Sequence, residues 1–313
     1  MAENISVTVI VPIYNVEKFI ERTLRSYFEQ TVADSVEYIL VNDCSTDSTM
    51  QIVNSVVAEY PRLNIRIIQH ETNKGVGAAR NTGLGYLGEN SSYILFWDAD
   101  DYVEHDMLEQ MLRVSGNGST DIVCCDIFDD LENRIQIRKS VPADTPQKLI
   151  SEMLKMNING GAYNKMIKRS IIQQNGIFFT EEHNIGEDMS WVINCALHAK
   201  SVSFLSKPLY HYVHDNTNSI MHSTKDVITT TRIWNANYIK EMLVNANVFS
   251  QFEKDFALYC LNVKYCLVNI DPDQWRSVFP ESNKYAGLRR SQTNWRMRIK
   301  EYIVAHTKIH KMI

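Results

Sequence analysis

Residues 98 to 101 read Asp98-Ala99-Asp100-Asp101, three carboxylates in four positions, directly behind the apolar run Tyr93-Ile94-Leu95-Phe96-Trp97. Such a run predicts a buried strand, and a strand end is an unfavourable place to gather like charge. Asp98 and Asp100 stand two apart, so at an extended strand end both side chains fall on one face. A hard divalent cation with an anionic ligand relieves the repulsion. Mg²⁺ or Mn²⁺ takes a few carboxylate oxygens plus phosphate oxygens in preference to an all-protein cage. A second acidic pair, Glu187-Asp188, opens a helix-period segment through His198, where backbone N–H groups and the helix dipole favour carboxylates.

Strand-like runs and helix-period segments alternate ahead of these carboxylates. Val7-Thr8-Val9-Ile10-Val11 is a β-branched strand, and 16–30 carries apolar residues at helical spacing. Tyr38-Ile39-Leu40-Val41 forms the second strand, and Ser45-Thr46-Asp47 offers a cap to a helix running to Tyr60. A third strand over 65–68, a helix over 75–86 and the strand over 93–97 follow. This alternation predicts right-handed crossovers and an α/β fold with a mostly parallel, Rossmann-like sheet flanked by helices. Ligands of such sheets sit at the carboxyl ends of the strands. Those ends carry Pro12-Ile13-Tyr14-Asn15, Asn42-Asp43-Cys44-Ser45, Asn73-Lys74-Gly75 and the Asp98–Asp101 cluster. Polar caps account for any one of them; four in succession point to a site.

Composition narrows the class. The chain has 313 residues, 44% apolar, enough for one large core or a core plus an appendage. Thirty-two Lys and Arg against 37 Asp and Glu leave a formal charge of -5, which gives no general argument for nucleic acid, and none is expected as a partner. Six cysteines without a CxxC pair, and an acidic start to the chain, predict reduced thiols and a cytoplasmic protein. No run approaches the roughly 18 apolar residues that a membrane helix needs.

The ordered set VTVIVPIYN, VNDCSTDST, NKGVGAARNTG and FWDADD resembles the large inverting glycosyltransferase family 2, whose nucleotide-sugar domain has the GT-A fold. DIVCCDIF, GGAYNKMIKRSII, GED at 186–188 and LYHYVHDNTNSI continue the likeness, so about 5–220 is covered. The resemblance implies a GT-A domain over 1–222, with a nucleotide-sugar half to about 115 and an acceptor half from about 116, followed by a helical region over 223–313. It implies transfer of a sugar from a UDP-sugar or dTDP-sugar to a saccharide or lipid-linked saccharide hydroxyl, in polysaccharide or lipid-linked oligosaccharide assembly. Pro12 and Tyr14 match the end that holds the base, and Asp43 the acid that accepts from the base N3–H, which uracil and thymine carry and cytosine lacks. Arg80 matches a basic residue near base and diphosphate. Asp98 would hold the ribose or a metal-bound water, Asp100 the Mn²⁺ or Mg²⁺, and Asp188 would be the general base. Asp101 is expected to point away as a structural residue. Asn164-Lys165 match an Asn-Lys element for which packing is the stronger expectation.

One departure stands out. Many relatives have Tyr-x-Tyr-Arg where this chain has Tyr210-His211-Tyr212-Val213, with His214 next and Ser219 later. The basic residue has gone or moved, and His214 is a candidate replacement or third metal ligand. The QxxRW element of processive synthases is missing, which favours single addition. Over 289–313 seven Lys or Arg face one Glu, a net +6, and Trp295, Ile299, Tyr302, Ile303, Ile309 and Ile313 share one helical face. Such a helix either lies on the anionic inner face of a membrane or packs on the domain.

Other classes fit less well. A haloacid-dehalogenase-type phosphatase places its DxD after the first strand, and this motif follows the fourth. A sugar nucleotidyltransferase needs a Gly-rich loop where this chain has Pro12-Ile13-Tyr14-Asn15. A non-catalytic nucleotide-sugar binding protein stays open as the alternative.

Overall fold

The computed structural model describes residues 6–88, 91–116, 118–216, 224–288 and 295–307. Strand and helix alternate as β1 (Ser6–Ile13), α1 (Ile20–Phe28), β2 (Val36–Asn42), α2 (Thr49–Glu59), β3 (Asn64–Gln69), α3 (Val76–Gly85) and β4 (Ser91–Phe96). β1 is apolar on both faces because both are covered. Val7, Val9, Val11 and Ile13 meet Ile20 and Leu24 of α1 and Val53 of α2. Ile10 points the other way, against Ala79 and Leu84 of α3. Gly83 permits that approach, since a Cβ there would lie 2.4 Å from Ile10 Cγ2.

These strands pair in parallel in the order β3-β2-β1-β4. The chain builds outward from β1 to β3, then returns to the other side of β1 with β4. Between β1 and β4 the order reverses, and a crevice opens at their carboxyl ends.

The second half is mixed. It contains β5 (Tyr102–Val103), α4 (Met107–Val114), β6 (Ile122–Leu131), β7 (Arg134–Arg138), α5 (Pro146–Leu154), β8 (Lys165–Lys168), α6 (Arg169–Asn175), α7 (Glu187–His198) and β9 (Val202–Val213). β8 joins β4 to β6 antiparallel, β9 runs parallel to β6, and β5 closes the order β3-β2-β1-β4-β8-β6-β9-β5. The 12-residue β9 therefore brings the residues around Tyr210 beside the exit of β4.

Helices α8 (Lys225–Asn245), α9 (Phe249–Val263), α10 (Leu267–Ile270), α11 (Pro272–Ser277) and α12 (Trp295–His306) end the chain. Ala236, Ile239, Phe252 and Phe256 of α8 and α9 share one apolar cluster with Ile150, Met153 and Trp191 of α5 and α7. The last helices close a smaller cluster around Trp275, Leu261 and Val304. The expected boundary at 222/223 falls outside the described residues, as do Ser219, Arg289, Lys308, Ile309, Lys311 and Ile313.

Three boundaries differ from the sequence reading. α1 starts at Ile20 because the preceding N–H groups are taken elsewhere: Val16 N donates to Thr49 Oγ1 (2.8 Å) and Glu17 N to Asp47 Oδ2 (3.3 Å). Asp47 Oδ1 accepts from Thr49 N (3.0 Å), so α2 begins at Thr49. The helical region expected over 223–313 is interrupted after Val263, where buried Lys264 turns its ammonium to Val278 O (2.7 Å) and Asn283 Oδ1 (2.6 Å). Neither a Gly nor a Pro marks that break.

Candidate active site

Pro12, Tyr14, Asp43, Arg80, Asp98, Asp100, Asp188 and His214 all line one cleft of about 990 Å³ at the β1–β4 crevice. Helices α8 and α9 add Arg232, Tyr259 and Asn262 to its wall.

At the β1 end, Tyr14 is 46% exposed. Asn15, at φ 48°, stitches this turn to the β2 exit: Asn15 N donates to Ser45 Oγ (3.1 Å) and Asn15 Oδ1 accepts from Thr46 N (2.8 Å). Asp43 is buried. Its Oδ1 accepts from Lys74 N (2.8 Å) and meets His70 Nδ1 (2.7 Å); its Oδ2 accepts from Gly75 N (2.7 Å). A carboxylate oxygen accepts about two hydrogen bonds. Oδ1 is therefore saturated, and Oδ2 has room for one more donor. Gly75, at φ 89°, is what lets the chain turn its N–H inward here. Lys74 contributes its backbone N–H, while the residue itself is exposed.

The centre of the cleft is an arginine among carboxylates. Arg80 Nη2 donates to Asp98 Oδ1 (2.9 Å), and Nη1 to Asp188 Oδ1 (2.5 Å) and Glu187 Oε1 (3.0 Å). Its guanidinium also lies 5.0 Å from the Phe179 ring centroid. Burial works to lower the Arg80 pKa, but the charges of Asp188, Asp98 and Glu187 outweigh it and raise it. Burial pushes Asp98 up to about 6 against the pull of Arg80, with Asp188 and Asp100 adding to the rise. Burial likewise pushes Glu187 up to about 7; Asp188 adds to this and Arg80 opposes it. Arg80 thus bolts the exit of β4 to the first turn of α7. Sequence reasoning set it near the base and diphosphate and did not foresee three carboxylate partners within its reach.

Asp100 Oδ2 accepts from Asn216 Nδ2 (2.8 Å), and its pKa is raised by burial, with Asn216 and Arg22 pulling the other way. Asp101 turns into the protein: Oδ2 accepts from Tyr210 Oη (2.7 Å) and Oδ1 from Val213 N (2.8 Å). Tyr210 Oη accepts from Asp98 N (3.2 Å), and Tyr27 Oη donates to Asp98 O (2.7 Å). The tyrosines of β9 and α1 therefore fix the backbone that aims Asp98 and Asp100 into the cleft. The Tyr210-His211-Tyr212 motif held that signal for Tyr210; Tyr27 carried none beyond a core position.

His214 Nε2 lies 2.9 Å from Asp129 Oδ1, a carboxylate also bonded by Arg138. Among the described residues no group of three His, Cys, Asp or Glu stands together as a metal cage. His214 is thus placed with Asp129 rather than in a three-ligand set with Asp98 and Asp100. Asn164 and Lys165 are fully buried: Lys165 Nζ donates to Asn159 O (2.7 Å) and Gly161 O (2.6 Å), pinning a loop that lines the cleft. Asp98 and Asp100 fit a cation even so. Both offer hard oxygens, Asp98 Oδ2 has no side-chain partner among the described residues, and Mg²⁺ or Mn²⁺ needs only one or two carboxylates.

Residues 8–176 match the family model of glycosyl transferase family 2. EpsH of Bacillus subtilis, a glycosyltransferase by name, is 29% identical over 285 residues, covering 88% of this chain and 79% of EpsH. The poly(ribitol-phosphate) beta-N-acetylglucosaminyltransferase TarS of Staphylococcus aureus is 30% identical over 210 residues, 66% of this chain. The chain spans only about a third of TarS, 35% of its length. The crystal structure of TarS 1–349 in complex with UDP-GlcNAc superposes with a TM-score of 0.63 at 24% identity, covering 96% of this chain and 89% of that one. The mannosyltransferase PcManGT of Pyrobaculum calidifontis, in complex with GDP-Man and Mn²⁺, has the same fold at a TM-score of 0.56 and 15% identity. With the strand order, the DxD exit and these likenesses together, the chain belongs to glycosyl transferase family 2 and is a glycosyltransferase with a GT-A fold extended by C-terminal helices.

Proposed function

We propose that the protein transfers a sugar from a UDP-sugar, or dTDP-sugar, to a hydroxyl of a saccharide or lipid-linked saccharide, with inversion, in the assembly of a surface polysaccharide. One observation carries the reading: a single guanidinium, Arg80, touches both Asp98 and Asp188, so the DxD exit and the acidic pair of α7 meet at one point of the cleft. The UDP-GlcNAc named with TarS supports a uridine donor. So does the remaining acceptor capacity of Asp43 Oδ2, which suits the N3–H of uracil or thymine.

In this reading the base lies by Pro12, Tyr14 and Asp43. Asp100, with Asp98 beside it, would hold Mn²⁺ or Mg²⁺, which would offset the charge of the departing diphosphate. Arg80 fixes Asp188 Oδ1, and Oδ2 has no partner among the described residues, leaving it to take the acceptor proton. The acceptor oxygen then bonds to the anomeric carbon as the carbon–oxygen bond to the diphosphate breaks. The nucleoside diphosphate leaves with that electron pair. One attack from one side inverts the centre.

The acceptor's membrane would be met through 289–313. In the described part, α12 buries Val304 and Glu301 and leaves Trp295, Ile299 and Tyr302 exposed. The contact proposed is peripheral, on the cytoplasmic face; among the described residues no helix is long and apolar enough to cross a membrane.

The test separates base from cation ligand. Asp188→Asn should keep donor affinity and lower transfer by roughly 10² to 10⁴, the usual worth of general base catalysis. Asp100→Asn should lose metal-dependent UDP binding and turnover together. Transfer by Asp188→Asn at the parent rate would place the base elsewhere.

A further inference from the structure

Among the described residues three arginines line the cleft, and two are held by carboxylates. Arg80 holds Asp98, Glu187 and Asp188, and Arg138 holds Asp129. Arg232 has no carboxylate or other hydrogen-bond partner among the described residues. Its position on α8 faces the active site. Asn235, one turn on and on the same helix face, donates to Gly186 O (2.8 Å), the residue directly before Glu187-Asp188. Asn235 Nδ2 also reaches Tyr259 Oη (3.5 Å), and the charge of Arg232 bears on that same phenol. A half-buried guanidinium with no hydrogen-bond partner among the described residues is open to an anionic ligand. Its planar fork of donors is best met by a phosphate, which accepts two parallel N–H bonds.

We propose that Arg232 is a phosphate-binding residue of the cleft beside Asp188, so that α8, which lies beyond the segment 8–176 that matches the family, supplies an anion site to the active centre. The phosphate can come from the donor's diphosphate or from a phosphorylated acceptor. The donor arm rests on the uridine-donor reading above; the acceptor arm does not.

The experiment uses the full chain, with Arg232→Ala and Arg232→Lys beside the parent. Titration calorimetry with Mn²⁺ measures UDP, uridine and inorganic pyrophosphate, then inorganic phosphate added to the UDP-saturated protein. A donor contact predicts that Arg232→Ala weakens UDP and pyrophosphate about tenfold, leaves uridine unchanged, and that Arg232→Lys recovers part of the loss. An acceptor contact predicts unchanged UDP binding and a tenfold weaker phosphate site in the UDP-saturated protein. Equal affinities of parent and Arg232→Ala for UDP, pyrophosphate and phosphate overturn the proposal. A parent that binds no UDP but binds phosphate, with the site lost in Arg232→Ala, would sink the uridine reading and leave the Arg232 assignment standing.

Discussion

Arg80 Nη1 lies 2.5 Å from Asp188 Oδ1, and the two residues come from opposite halves of the chain, 108 positions apart. Arg80 is buried and Asp188 partly so, and removing the buried partner costs up to roughly 3–5 kcal/mol because the charges it held are left uncompensated. Arg80→Met should therefore lower stability by that order and abolish transfer, since Asp98, Glu187 and Asp188 would face one another with no cation between them. Arg80→Lys keeps the charge but cannot span three carboxylates, so it should fold and transfer slowly. Thermal unfolding beside donor affinity checks both. An Arg80→Met protein as stable as the parent would show that the pair does not hold the two halves together.

Glu187 gives the protein a pH dependence of known sign. Its carboxyl titrates near 4.5 in an unfolded chain and about 7 in the folded one. Between these values the folded protein holds the extra proton, so this group's contribution to stability falls as pH rises and levels off above about 7. The stability of the parent relative to Glu187→Gln should drop between about pH 5 and pH 7. Denaturant melts at several pH values read this directly; a relative stability that climbs through that window contradicts the assignment.

The fold's first half was legible because its rules are local. Apolar runs at 7–11, 38–41 and 93–97 have no other use than buried strands, and the two-residue spacing of Asp98 and Asp100 sets their common face. What stayed hidden depends on distant partners. The late start of α1 follows from Thr49 and Asp47, some 30 residues on. Arg80 reads as a basic residue near base and diphosphate, and its contacts with Glu187 and Asp188 emerge only when α7 is laid against it. His214 reads as a candidate replacement or third ligand, and its Nε2 bond to Asp129 of β6, 85 positions away, leaves no mark in the sequence. Arg232 gave no signal, since an arginine in a mixed polar helix has no periodicity to betray it. For α12 the helical wheel found a real apolar face, with Trp295, Ile299 and Tyr302, yet the structure buries Val304 and Glu301 instead.

Asp43 makes a prediction about the donor base. Both its oxygens accept from backbone N–H groups, so Asp43→Asn would set an amide NH₂ against Gly75 N–H or Lys74 N–H. A buried donor left unsatisfied costs roughly 1–3 kcal/mol. The variant should lose at least tenfold in UDP affinity with a modest loss of stability. The parent should bind UDP or dTDP ahead of CDP, GDP and ADP. Calorimetry with the five diphosphates decides it, and CDP or GDP binding tightest would remove Asp43 from the base site.

The exposed face of α12 makes the last prediction. Trp295 is 65% exposed, Ile299 50% and Tyr302 55%, three large apolar side chains within two helical turns. All three are exposed, so replacing them by Ser removes no buried side chain and the unfolding midpoint should barely move. If this face enters an anionic bilayer, it loses apolar transfer energy on the order of 1 kcal/mol per side chain. The basic residues of 289–313 would add about 1 kcal/mol each near the surface at low ionic strength. The triple variant should therefore sediment severalfold less with phosphatidylglycerol vesicles than the parent. Raising salt from 50 to 500 mM should release the parent, because screening shortens the reach of the lysines and arginines. Sedimentation that is unchanged in the triple variant, together with a fall of several degrees in its midpoint, would mean that the face packs against the chain's own remaining residues and that the membrane plays no part.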